Sequence, residues 1–150
     1  MRRPLALCAA VLAVGCAKTE QQADSTPPAA VAAPAPVITL GDLAGTWEGQ
    51  IMAMDKDSVV TTATLINTAT MDGWSMKLPN GAAPAVKVVT VEGDSVVTTA
   101  GPFASVLRKG QQVSTHSIMH MKDGKLVGVI HAKYPNGDTA TLRITATRKP

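Results

Sequence analysis

A chain of 150 residues, 45% of them hydrophobic and 17% charged, with a net charge of +3, holds enough apolar material for one core and one domain. Eleven Lys/Arg face nine Asp/Glu between Ile38 and Pro150, which leaves that stretch nearly neutral, and no basic stripe or nucleic-acid motif is present; no nucleic-acid partner is expected. Only 3% of the residues are aromatic, so each ring is a landmark.

Met1-Arg2-Arg3 is a positive opening, and Leu5 to Val14 is an apolar run too short to span a bilayer. Residues 1–15 therefore read as an export signal. The run ends in Leu12-Ala13-Val14-Gly15-Cys16, which resembles the bacterial lipobox, with a small residue before the cysteine and Ala13 where that motif usually has leucine. The resemblance implies cleavage before Cys16, lipidation of Cys16 and attachment to a membrane through that anchor. Ala17, in place of aspartate, resembles the pattern of lipoproteins sorted to the outer membrane, here facing the periplasm. Cleavage would remove Cys8 and acylation would occupy Cys16, so no thiol remains for a disulfide, a metal or nucleophilic chemistry.

Residues 16–37 follow as the acylated cysteine and a tether in which prolines alternate with alanines. That composition favours an extended spacer over packed structure. A folded domain is expected over 38–150.

That domain opens with Asp42-Leu43-Ala44-Gly45-Thr46-Trp47-Glu48-Gly49. Runs rich in Val, Ile and Thr, separated by Asp, Gly, Asn and Pro, then predict eight strands: Thr46–Met54, Ser58–Asn67, Gly73–Leu78, Ala85–Val91, Asp94–Ala100, Gln112–Met121, Lys125–Tyr134 and Asp138–Arg148. Tight connectors at Asp55-Lys56-Asp57, Met71-Asp72, Glu92-Gly93, Lys122-Asp123-Gly124 and Pro135-Asn136-Gly137 favour antiparallel neighbours. Gly101 to Gly110 reads as the one long irregular connection. No amphipathic helical window of useful length appears. An antiparallel ribbon of this kind loses its exposed edges by closing on itself.

Two hairpins have a predictable register. A two-residue turn at Asp123-Gly124 pairs Met121 with Leu126, Met119 with Gly128 and Ser117 with Ile130. A three-residue turn at Pro135-Asn136-Gly137 pairs Ala132 with Ala140, Ile130 with Leu142 and Gly128 with Ile144. Both place one apolar face inward, which predicts an interior of Met119, Met121, Leu126, Ile130, Ala132, Leu142, Ile144 and Ala146, joined by Trp47, Ile51, Trp74, Met76 and Leu78. Asp57-Ser58-Val59-Val60-Thr61-Thr62-Ala63 recurs letter for letter as Asp94 to Ala100. Equivalent structural roles after a tight turn are expected of the two copies.

A Gly-x-Trp step opening the first strand of an all-β domain, here Gly45 and Trp47, resembles the calycin barrels: the lipocalin, fatty-acid-binding and avidin-like families. The resemblance implies an eight-stranded antiparallel up-and-down barrel whose floor is closed by Trp47, with a basic side chain of the last strand, Arg148 or else Arg143, lying across the indole. It also implies a small apolar or amphipathic ligand, held by Ile51, Trp74, Met76, Met119, Met121, Ile130 and Leu142.

Chemistry beyond binding is sparse. His116 faces His131 in the predicted register, and His120 lies roughly 13 Å along the strand, so no third zinc ligand converges. Met52, Met54, Met119 and Met121 fit an aromatic-poor interior better than a copper site. There is no nucleophile elbow and no phosphate loop, and the aspartates fall mostly in turns. The expectation is a non-enzymatic, membrane-anchored binding lipoprotein without metal or cofactor. The other reading is a structural or protein-interaction module of the cell envelope with a filled core.

Overall fold

β-Branched runs cut by Asp, Gly and Asn fold here as short strands joined by reversals. The computed structural model describes residues 37–150; the expected export signal, the expected lipidation at Cys16 and all but the last residue of the expected tether lie outside the described residues. The elements are α1 (Leu40–Leu43), β1 (Gly45–Ala53), β2 (Val59–Asn67), β3 (Trp74–Lys77), β4 (Ala85–Glu92), β5 (Ser95–Ala104), β6 (Gln112–Lys122), β7 (Lys125–Lys133) and β8 (Thr139–Arg148). Each strand pairs antiparallel with its successor and β8 returns to β1, which closes the barrel. The all-β, eight-stranded, up-and-down barrel expected from the sequence is the fold, and it is compatible with calycin-like architecture.

The two hairpin registers are those read from the turns. Met121 faces Leu126, Ser117 faces Ile130 and His116 faces His131, while Ala132 faces Ala140 and Gly128 faces Ile144. Asp123 and Gly124 have φ of 51° and 71°, the left-handed pair that a two-residue hairpin turn requires. The interior follows: Trp47, Leu65, Trp74, Val96, Leu126, Ile144 and Ala146 are buried in one cluster, with Met76, Met121 and Leu142 half-buried against it. Glu48, Gln50, Lys87 and Thr147 face outward. This alternation is the inverse of a membrane-spanning barrel, whose outer band is apolar.

Three features depart from the sequence expectation. β5 does not end at Ala100 but continues to Ala104 through a bulge that shifts its pairing with β6. Gly101 permits this, because its φ is 111° and a Cβ there would lie 2.7 Å from the Val113 carbonyl oxygen. A second bulge between Val88 and Thr90 resets the alternation so that Val91 returns to the core. The third is α1, a single turn too short to show a helical period in the sequence. Its capping box is reciprocal: the Thr39 N–H and hydroxyl donate to Asp42 Oδ2 at 2.8 and 2.7 Å, and Asp42 N–H donates to Thr39 Oγ1 at 3.3 Å.

The repeated heptapeptide starts β2 and β5, which run in opposite directions around the barrel. Both copies turn Thr61/Thr98 and Ala63/Ala100 toward the interior. In both, the leading aspartate meets a cationic or basic side chain: Asp57 Oδ1 lies 2.9 Å from Arg143 Nη2, and Asp94 Oδ1 lies 3.3 Å from His120 Nδ1.

Candidate functional site: a barrel closed at both ends

One end is sealed by α1 and the indole. Ile38 and Leu43 enter the core beneath Trp47, which is 1% exposed, and Ile38 N–H donates to Gly93 O at 2.8 Å. The indole N–H finds its partner in Leu43 O at 2.9 Å, an oxygen that also accepts from Asn67 Nδ2 at 3.3 Å. Arg148 Cζ lies 4.3 Å from the centroid of the Trp47 ring, and its guanidinium donates to Ala44 O and Asp42 O. One side chain thus covers the ring and answers carbonyls that the end of α1 leaves free. Gly45 makes room for it, since a Cβ there would come within 2.8 Å of Arg148 Nη1. Arg143, the second choice for this position, instead donates to Lys56 O at 3.0 Å and pairs with Asp57 at the other end.

The opposite end carries an arrangement that sequence reading missed. Arg108 Cζ sits 4.2 Å from the centroid of the buried Tyr134 ring, and Arg108 Nη1 pairs with Asp138 Oδ2 at 2.5 Å. Ser105 Oγ lies 3.3 Å from the Tyr134 hydroxyl and accepts from Leu107 and Arg108 N–H at 3.2 and 3.0 Å. The segment Ser105–Gln111 is therefore strapped down over the barrel mouth. The only visible signal was the adjacent basic pair Arg108-Lys109 in the longest loop and a tyrosine beside a Pro-Asn-Gly turn. Arg108→Ala is expected to lower stability by about 1 kcal/mol and to speed amide exchange from Ser105 to Gln111 while leaving β1 and β8 unchanged. Equal exchange in this loop would show that the strap is not holding it.

Between the two ends lies a cavity of ≈ 80 Å³. Of the proposed ligand-contacting residues, Ile51, Trp74, Met76, Met119, Ile130 and Leu142 line it; Met121 packs against the core without reaching it. Trp74 is buried and its N–H donates to Thr68 O and Thr70 O at 3.1 and 2.8 Å. Trp47 closes the floor below and is not part of the lining.

Outside the cavity, the His116 and His131 rings stack at 6.4 Å between centroids, and among the described residues no three His, Cys, Asp or Glu are grouped to hold a metal ion. A Ser95, His120 and Asp94 cluster forms on the surface. Ser95 Oγ and Asp94 Oδ1 both approach His120 Nδ1, at 2.8 and 3.3 Å. A proton relay needs hydroxyl and carboxylate on opposite ring nitrogens, so this geometry is not that of a catalytic triad.

Three aspartates are held below the ordinary carboxylate range: Asp138 by Arg108 and Asn136, Asp94 by the Ser95 hydroxyl and then His120, and Asp42 chiefly by the Thr39 hydroxyl. A carboxylate with a depressed folded value stabilises the fold above its unfolded pKa, and that contribution disappears as the pH falls through the folded value. Thermal unfolding followed from about pH 6 to about pH 2 is therefore expected to fall off below roughly pH 4, and less steeply in Asp138→Asn. Parallel curves would mean that the Asp138 contacts are absent in solution.

No protein-family model, curated protein or solved structure matches this chain. The class stands on the coordinates: a closed, eight-stranded antiparallel barrel with an arginine laid over an aromatic ring at each end.

Proposed function

We propose that the chain is an exported lipoprotein, acylated at Cys16, whose folded part is a non-enzymatic, lipocalin-like container for a small apolar or amphipathic molecule. The carrying observation is the cavity itself, walled mostly by apolar side chains and lying under the strapped loop. Its ≈ 80 Å³ is about half the 150 Å³ that accommodates benzene and well below the roughly 300–1,000 Å³ of drug-sized sites. The ligand is accordingly a very small molecule, or one inserted end of a longer one. The lipobox-like sequence and the proline-rich tether support a place at the outer membrane facing the periplasm. The folded part begins at the floor end, where Ile38 N–H donates to Gly93 O, opposite the end that carries Arg108 and Tyr134.

Native mass spectrometry of the full chain purified from membranes is expected to find a stoichiometric small apolar mass. Cys16→Ala is expected to lose an incorporated fatty-acid label and sedimentation with membranes. An empty protein that takes up no small apolar probe would overturn the container reading. The smallness of the cavity favours the second reading in that event: an envelope interaction module with a filled core.

A further inference from the structure

Resting on the container reading, we infer that the ligand is neutral and carries a single hydrogen-bonding group, held by a belt of Thr98, Thr115 and Ser117 on one wall of the barrel. Thr98 stands directly opposite Ser117, and Thr115 opposite Ala100 one inward rung further on. All three hydroxyl residues line the cavity. Thr98 is 3% exposed and lies between the buried Val96 and the cavity. Across the interior, on β1, β2 and β8, the wall is mostly apolar, with Ile51, Ala63, Leu65, Leu142 and Ile144; its two polar members already have partners within the protein, the Thr61 hydroxyl donating to Thr62 O at 3.5 Å and the Asn67 amide to Leu43 O at 3.3 Å.

The asymmetry has chemical content. A hydroxyl inside an apolar core is unfavourable unless something hydrogen-bonds to it. Among the described residues no fully enclosed side-chain nitrogen or oxygen lacks a partner, and the belt residues stand where the wall meets the void. Their bonding capacity is thus available to whatever fills it. No Asp, Glu, Lys, Arg or His lines the cavity, so an ionised ligand would leave water without a counter-charge, which is strongly unfavourable. The lack of a counter-charge excludes a free carboxylate, the belt selects a hydrogen-bonding group, and the volume limits the inserted part to a few heavy atoms. A short alcohol, or the neutral alcohol or amide end of a longer chain, meets all three conditions.

The test uses matched probes small enough for the void, 1-propanol, 1-chloropropane and propionate, titrated into the full chain with methyl NMR as the readout. An inert apolar wall would prefer chloropropane by tenfold or more, since the hydroxyl would have to shed water for nothing. With the belt acting, propanol is expected to bind at least as tightly as chloropropane, and propionate not at all. Thr98→Val with Ser117→Ala is expected to move the propanol-to-chloropropane ratio at least tenfold toward chloropropane. Thr115→Val alone, which keeps shape and removes one hydroxyl, is expected to move it part of the way should the double variant not fold. Chloropropane binding with an unchanged ratio in every variant would overturn the belt and leave the container standing. Binding of neither neutral probe would overturn both.

Discussion

Trp47→Ala is expected to lower the unfolding free energy of the domain by about 3–5 kcal/mol, the range for truncating a large buried aromatic side chain. The ring is among the largest fully buried side chains and plugs the barrel floor against Leu43. Its loss opens a cavity between α1 and the strands and removes the surface on which Arg148 rests. A small domain has a total stability of only about 5–15 kcal/mol, so the variant should be marginal at physiological temperature. Arg148→Ala is expected to lose only about 1 kcal/mol, because the guanidinium is largely exposed and an exposed cation–π contact is worth that much. The pair is not additive: once the ring is gone, removing Arg148 should change little further, apart from its bonds to Ala44 O and Asp42 O. Urea unfolding of the two single variants and the double variant measures this coupling. Full additivity would mean that ring and guanidinium do not interact.

Gly128→Ala is expected to destabilise by about 3 kcal/mol or more, the upper end of overpacking effects, although it adds a single methyl group. Gly128 faces Met119 across the β6–β7 ladder, and a Cβ there would collide with the Ile118 carbonyl and come within 2.7 Å of Met119 Cα. Both obstacles are backbone, so no rotamer change relieves them, and β6 would have to move away from β7. The strands approach closely at this point because the sheet curves to close. Gly41→Ala is the control, because its Cβ would meet only Thr39 Oγ1 at an ordinary 3.5 Å. That variant is expected to be neutral or slightly stabilising. Equal stability of Gly128→Ala and the parent chain, by the same urea measurement, would show that β6 and β7 are further apart than described.

The amino-acid sequence was most informative where structure is made locally. Asp123-Gly124 and Pro135-Asn136-Gly137 determine their hairpins because left-handed glycines and a two- or three-residue loop leave few registers open. That placed His116 opposite His131 and identified the apolar face of β6, β7 and β8. The irregular places were harder to read. A bulge at Gly101 depends on how β6 approaches, and a turn of helix at Leu40–Leu43 is too short to show a period.

By itself, then, the sequence determined the number and order of the strands and the inward face of β1, β3, β6, β7 and β8, since alternation and turn chemistry act over a few neighbouring residues; the inward residues of β2, β4 and β5, such as Leu65, Val88 and Val96, emerged only with the structure. Only the tertiary structure decided that Arg108 straps Tyr134, that Thr98, Thr115 and Ser117 share one wall, and that the void is as small as ≈ 80 Å³. Those properties arise when barrel closure brings together residues far apart in the chain, and a void is what the sum of all inward side chains fails to fill.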